Sequence, residues 1–380
     1  MLIIIVVCLV MTLGYVLLML AYRMGWDRQP DFVLPPQFEP HTFISVIIPA
    51  RNERTNIGGC IESLLAQKYP DDLFEIIVVD DHSDDGTAEI VTEYAGKNVT
   101  CIALADHIDP EKKINAYKKA AIAAGIGQSK GTLIVTTDAD CLVPNSWLLH
   151  IAAIYEQQAP IMVVAPVIFT SNDTILQLFQ LTDFMSMQGI TAAAHSLKLG
   201  NMSNGANLAF SKSAFQDAGG YHGTEHLASG DDLLLMAKLE KLSPGNISYL
   251  KSQNAIVVTT PQPDWSSFLQ QRIRWSSKSG KYKDFRLTGI LLFVYLYNLS
   301  FLVLGVACFF HPQYLYLTLS TLAVKVLAEY LFVRHVARFF GNEWVLKYFP
   351  FLQPLHIVYI VVAGFLGFVG GYRWKGRSVR

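Results

Sequence analysis

The sequence predicts an α/β domain with a Rossmann-like, mostly parallel sheet, carried between N- and C-terminal transmembrane helices. Three observations lead there. Hydrophobic residues make up 52% of the 380 and charged residues only 16%, against about 25% charged in ordinary soluble domains. The uncharged stretches lie towards the two ends of the chain, while charges, glycines and Asp-rich turns lie between them. Within that middle part, short apolar runs alternate with amphipathic helical patterns, as expected of parallel strands joined by crossover helices.

The elements follow in order. Residues 2–22 carry no charge and are long enough to cross about 30 Å of hydrocarbon. No Lys or Arg precedes them and no small-residue cleavage site follows, so residues 1–25 are expected to be an anchor rather than a removed signal peptide. Arg23 and Arg28 come next, which favours the cytoplasm for the downstream side. Residues 43–49, 74–80 and 132–137 read as buried strands, and residues 56–67, 87–95 and 115–128 as helices. The catalytic domain is expected over residues 40–263. Residues 264–285 read as a basic, aromatic amphipathic helix at the membrane edge. Residues 286–373 hold about three further spans, at 287–310, 314–333 and 355–372. Lys325 and Glu329 stand four residues apart in the second of these and read as an ion pair at a helix contact. The basic tail with Arg373, Lys375, Arg377 and Arg380 creates a conflict. A cytoplasmic domain followed by three spans puts it outside, whereas the positive-inside tendency puts it inside. A re-entrant or interfacial segment near residues 344–351 would reconcile the two.

Composition also excludes. Thirty Lys and Arg against 31 Asp and Glu give a net charge of -1, so a nucleic-acid partner held by bulk positive charge is not expected. The five cysteines form no CxxC pair, which argues against a disulfide framework or a zinc site. No GxGxxG occurs, which disfavours a nicotinamide enzyme.

The residues that could carry chemistry gather at strand ends. The first strand ends at Pro49 and enters a polar loop through Arg51 and Glu53, and open α/β sheets bind ligands at such ends. The second delivers Asp80 and Asp81, where a carboxylate can accept from a ribose hydroxyl or a base N–H. The third is followed by Asp138 and Asp140, a pair suited to a hard divalent cation shared with a diphosphate. Lys118 and Lys119 open the helix before that strand, and a lysine there could neutralise a diphosphate or merely face solvent. Residues 203–210, which include Asn207, precede Ser229, Gly230, Asp231 and Asp232. An acid at a helix start caps it, or serves as a general base. Gln271, Arg274 and Trp275 lie in the amphipathic segment, as interfacial anchors or as phosphate and sugar contacts.

In this order the motifs resemble those of membrane-bound family 2 glycosyltransferases with a GT-A fold. That group includes cellulose, chitin and hyaluronan synthases, ceramide glucosyltransferases and bacterial lipid or carotenoid glycosyltransferases. The resemblance covers residues 43–282 and the flanking spans. It implies that Pro49, Arg51, Glu53 and Asp81 hold the nucleotide. Asp138 and Asp140 match the pair that binds the sugar-nucleotide diphosphate through Mg²⁺ or Mn²⁺, with Lys119 and Arg274 also on the donor. Asp232 matches the catalytic base, and Asp231 stands where the family usually has Glu. Gln271, Arg274 and Trp275 match QxxRW; with Asn207 and Asp231, Gln271 and Trp275 are placed on the acceptor side. The expected enzyme is an inverting, hexosyl-type transferase. It would move a sugar from a nucleotide sugar, expected to be a UDP-sugar, to a hydroxyl of a membrane lipid, from a multi-pass cell-membrane protein whose catalytic domain faces the cytoplasm. The alternatives are a processive polysaccharide synthase growing a glycan acceptor, a polyprenyl-phosphate glycosyltransferase and a non-catalytic membrane scaffold.

Overall fold

A computed structural model describes residues 2–109, 115–171, 174–200, 202–227, 230–277 and 284–369, with the backbone of 372–374 and 377–379. The chain forms two compact units. One comprises Met1–Gln29, Ser171–Gly200 and Pro261–Arg380, and the other Pro30–Thr170 and Asn201–Thr260. They are called the helical unit and the sheet unit. Element labels run in chain order through both.

The sheet unit is built on strands β1 (Ile44–Ala50), β2 (Phe74–Asp80), β3 (Val99–Ala103), β4 (Leu133–Thr136), β6 (Met162–Val164), β8 (Leu208–Ser211) and β9 (Ile247–Tyr249), in the order β3-β2-β1-β4-β8-β6-β9. From β3 to β4 every pairing is parallel; β8 runs antiparallel to both β4 and β6. Central parallel strands are covered on both faces and need apolar residues throughout; Ile44, Val46, Ile47 and Ile48 are completely buried. The helices of this unit are α2 (Ile57–Leu65), α3 (Thr87–Thr92), α4 (Tyr117–Gln128), α5 (Trp147–Gln158), α7 (Lys212–Asp217) and α8 (Asp231–Leu242). A second sheet orders β5 (Cys141–Leu142), β10 (Val257–Thr259) and β7 (Val167–Phe169).

Register decides which loops meet. Ala50 pairs with Asp80, and Thr136 pairs with Leu208. The carboxyl ends of β1, β2 and β4 and the amino end of β8 therefore share one edge. The loops that leave or enter there carry Arg51, Asp81, Asp138 and residues 203–207.

The helical unit contains α1 (Leu2–Arg28), α6 (Ile175–Leu197), α9 (Trp265–Ser276), α10 (Phe285–Phe310), α11 (Tyr314–Phe339) and α12 (Phe349–Val369), with a hairpin of β11 (Tyr372–Trp374) and β12 (Arg377–Val379). Four of these helices, α1, α10, α11 and α12, are long and apolar enough to cross a membrane. Close approach is achieved through small residues, as between membrane helices. A Cβ on Gly25 would lie 2.6 Å from the Ala193 carbonyl oxygen, and one on Gly189 would lie 2.4 Å from Val336.

Two features differ from the sequence expectation. The α6 helix, Ile175–Leu197, belongs with the apolar helices, whereas the sequence places it inside the catalytic domain. The cause is that α6 buries polar Gln180 and Asp183, whose partners Gln262, Arg272 and Tyr359 are remote in sequence. The last span begins at Phe349 rather than Leu355, after a short 3-10 turn at Glu343–Lys347, so residues 344–351 run directly into it. Ser229, Lys375 and Arg380 lie outside the described residues.

Candidate active site

The site is assembled at the shared sheet edge. The α4 helix turns Lys118 towards the β4 exit, where its Nζ lies 2.6 Å from Asp138 Oδ1 and 3.4 Å from Asp231 Oδ2. Asp231 opens α8 behind Gly230, which caps that helix with a φ of 83°, a left-handed value that suits glycine. Asp232 follows; its Oδ1 accepts a hydrogen bond from Leu233 N at 2.7 Å. The loop before β8 closes in from the side, with Thr136 Oγ1 donating to the Gly205 carbonyl at 2.8 Å. A Cβ on Gly205 would sit 2.9 Å from Asp231 Oδ2 and 3.5 Å from Lys118 Nζ. Only a residue without a side chain lets the backbone approach the ion pair so closely.

Electrostatics follow from this geometry. Burial opposes the charge of Lys118, but Asp138 and then Asp231 outweigh it and hold the ammonium above its ordinary pKa. Burial, then Asp140 and Asp138, push up the thiols of Cys60 and Cys141. The two carboxylates thus project their field onto the same buried thiols. Burial, then Asp231 and Asp232, likewise push up the Tyr221 phenol.

Three carboxylates, Asp138, Asp231 and at longer range Asp232, therefore act on one ammonium, and Asp140 follows Asp138 in the same loop. The excess negative charge and the hard oxygen donors fit a divalent cation of the Mg²⁺ or Mn²⁺ kind. Among the described residues no three His, Cys, Asp or Glu side chains form a ready cage. Asp138 remains 36% exposed at its side chain.

The other expected nucleotide contacts form a linked group beside this one. Arg51 Nη1 donates to the Asp81 carbonyl at 2.9 Å and lies 3.7 Å from its carboxylate. Asp81 is buried and also meets His82 Nδ1 at 2.9 Å. Glu53 accepts from Asn56 Nδ2 at 2.8 Å, and its carbonyl receives Asn56 N and Ile57 N, so it organises the entry into α2. Pro49 sits within β1 opposite Val79.

Two residues differ from the expectation. Lys119 is 2% exposed, and its ammonium holds the Thr224 and Leu227 carbonyls, each at 2.9 Å. Its neighbour Lys118 is the lysine that meets the acids, because successive helical residues point about 100° apart. Asn207 is completely buried: its Oδ1 accepts from Trp147 Nε1, and its Nδ2 donates to the Pro166 and Ala255 carbonyls. These bonds tie the site loop to the core, so its role is structural rather than a contact with acceptor.

Gln271, Arg274 and Trp275 lie on α9 in the helical unit. Arg274 is half-buried. Trp275 packs 5.8 Å from Phe184 and 4.2 Å from the Arg272 guanidinium. Arg272, which the motif leaves unnamed, is 2% exposed and pairs with Asp183 at 2.8 Å. An arginine between aromatics in an amphipathic helix is the one signal that could have marked it.

Comparisons with known proteins agree with this architecture. Glycosyl transferase family 2 matches residues 45–217 and Glycosyl transferase family group 2 matches residues 133–368. Glycosyltransferase AglE of Haloferax volcanii is 29% identical over 50% of this chain and 59% of its own length, so the match spans little more than half of that relative. A poly-beta-1,6-N-acetyl-D-glucosamine synthase of Staphylococcus epidermidis is 24% identical over 82% of this chain and 73% of its own. The mannosyltransferase PcManGT of Pyrobaculum calidifontis, solved with GDP-Man and Mn²⁺, superposes with a TM-score of 0.60 at 19% identity, over 96% of this chain and 97% of that one. That likeness supports the fold. With the second family model covering more than half of the sequence, the chain belongs to the family 2 glycosyltransferases.

Proposed function

We propose that this enzyme moves a sugar from a nucleoside-diphosphate sugar, a uridine one by family resemblance, to a hydroxyl of a membrane lipid, with inversion at the anomeric carbon. The observation that carries the proposal is the Lys118 ammonium held between Asp138 and Asp231 at the sheet edge. A cation poised among carboxylates at a strand exit suits a group that leaves as diphosphate. Asp232, in the first turn of α8, takes the proton of the acceptor hydroxyl. The acceptor oxygen bonds to the anomeric carbon as the bond to diphosphate breaks, and Lys118 faces the charge that develops. A divalent cation bound by Asp138 and Asp140 would supply further neutralisation of that diphosphate; the Mn²⁺ and GDP-Man of the Pyrobaculum structure support a metal and a sugar-nucleotide donor. Four candidate spans support a membrane-bound enzyme, and Arg23 and Arg28 towards the carboxyl end of α1 support a cytoplasmic site.

The test follows labelled UDP-glucose, UDP-galactose or UDP-N-acetylglucosamine, with Mg²⁺ or Mn²⁺, from membranes into organic solvent or into a high-mass aqueous fraction. Label in the organic phase that falls about 100-fold or more in Asp232→Asn, with folding retained, is the expected result. Label in an aqueous polymer would replace it with a second reading, a processive polysaccharide synthase. The long alignment with the Staphylococcus synthase favours that second reading.

A further inference from the structure

Three helices of the helical unit share one axis. The ring of Tyr15 on α1 marks a common level: it lies 4.5 Å from Tyr297 of α10, and its hydroxyl donates to Glu329 Oε1 of α11. Further along α1, Tyr22 meets Phe332 and Trp26 meets Phe339, so α11 runs beside α1 in the same sense. Three residues join α10 to α11, and Cys308 meets Thr318 across that turn, so α10 runs alongside in the opposite sense.

The α12 helix does not follow them. At the Tyr15 level its Gln353 completes the ion pair of α11. Lys325 Nζ, 2.7 Å from Glu329 Oε1, donates to Gln353 Oε1 at 2.6 Å, and Gln353 Nε2 donates to Glu329 Oε2 at 2.7 Å. Gly364 then passes α10 beside Tyr295, where a Cβ would lie 2.8 Å from the ring. Tyr295 stands only two residues, about 3 Å of helix, from Tyr297. Yet Gln353 and Gly364 are eleven residues apart, about 16 Å of helix. A helix aligned with the other three would have moved that far along α10, to the neighbourhood of residue 286 or 308. The α12 axis therefore crosses from α11 to α10 at nearly one level.

Its companion is α9. Tyr359 packs 5.5 Å from Phe268, and a Cβ on Gly367 would lie 2.6 Å from that of Ser276, so both helices advance eight residues between the two contacts. Strand β11 also lies beside α9. The face of α12 that turns away from these contacts is apolar. Phe351, Val358, Val362, Phe365 and Val369 recur at helical spacing and are exposed, whereas Gln353 and Gly367 on the opposite face are buried. No charged residue occurs in Phe349–Val369. A bare apolar stripe of this kind marks contact with a partner or a membrane. The helices that α12 crosses are themselves apolar enough to span, so lipid is what surrounds it.

We infer that α12 does not span the membrane but lies in its surface plane with the stripe set into lipid, and that the carboxyl tail returns to the side where α1 ends. Three spans, α1, α10 and α11, then leave Arg23, Arg28, Arg334, Arg338, Arg373 and Arg377 on one side, the distribution that the positive-inside tendency favours. The conflict posed by the basic tail disappears. This placement holds whichever reaction the sheet unit performs.

Labelling of the full chain in sealed vesicles of one orientation tests this. Lys347→Cys, just before α12, and Ser378→Cys, in the tail, meet a membrane-impermeant maleimide before and after permeabilisation, and label is read on each peptide. Both cysteines should react in the same condition, and Gln313→Cys, between α10 and α11, in the other. Opposite behaviour of Lys347→Cys and Ser378→Cys shows a span and overturns the inference. Depth is read from a fluorophore on Phe351→Cys, Val358→Cys, Phe365→Cys or Val369→Cys, quenched by lipids carrying a doxyl group at a shallow or a deep carbon. The ratio of shallow to deep quenching should stay within about twofold along the stripe, because an interfacial helix keeps one depth. A ratio that falls several-fold towards the middle of the stripe shows a span or a re-entrant loop. Absence of quenching by either lipid shows a face covered by protein. Either result overturns the inference. Glu343→Cys replaces Lys347→Cys, and Val362→Cys replaces a stripe variant, where the first choice does not fold.

Discussion

Lys118 and Lys325 make the same kind of contact in two very different surroundings. Each ammonium lies within 2.7 Å of a carboxylate and reaches a second oxygen. Around Lys118 the side chains remain 22% and 36% exposed, whereas Lys325 and Glu329 are 0% and 8% exposed. In the sealed cluster the remaining oxygens are filled by Gln353 and Tyr15, so the group completes itself. In the open cluster the carboxylates outnumber the cation, and a diphosphate or metal has something to bind. Burial thus decides whether a lysine–carboxylate pair serves mainly the fold or the chemistry.

Breaking each pair sharpens the contrast. Lys325→Met should destabilise the protein by about 3–5 kcal/mol, since it strands a buried carboxylate. Lys325→Met with Glu329→Gln should recover much of that, because no uncompensated charge remains. Thermal unfolding in a fixed detergent measures both, and a single variant as stable as wild type would remove the distinction. Lys118→Met should instead leave unfolding nearly unchanged and lower kcat/KM for transfer roughly 100-fold, as for loss of one preorganised charge contact. The smallest effect concerns pH. Burial lowers the pKa of His195 on α6, so its folded state prefers the neutral ring. The stability tied to this neutrality is present above the ordinary histidine value near 6.5 and is lost as pH falls through it towards the lower folded value. Between pH 7 and pH 5, wild type should lose more Tm than His195→Gln; parallel curves would show that this residue is not part of the sealed interior.

The sequence makes the parallel core legible because β1, β2 and β4 are continuous apolar runs, each followed by acids. The pair Asp138 and Asp140 is legible for the same reason. Which of Lys118 and Lys119 faces the acids is a matter of helix orientation, set by carbonyls at Thr224 and Leu227 more than 100 residues away. Asn207 looks like a site residue, since only its distant partners Trp147, Pro166 and Ala255 reveal its work. The short strands β5, β7 and β10 are too brief to show a period. The α6 helix hides because its buried Gln180 and Asp183 find their partners elsewhere in the chain.

The strand order has a consequence for synthesis. The strands β1, β2, β3 and β4 all emerge within residues 44–136, and they can pair as soon as they clear the ribosome. The free side of β4 is then an open edge until Leu208–Ser211 arrives, and β6 cannot join before it, because β8 stands between them. For the time taken to make some seventy residues, a new chain holds half a sheet with an exposed apolar margin, the state in which strands seek partners in neighbouring chains. Among those residues is α6, an apolar helix that must be kept from aggregation in the same interval. Yield in cells should therefore depend on how fast this stretch is translated.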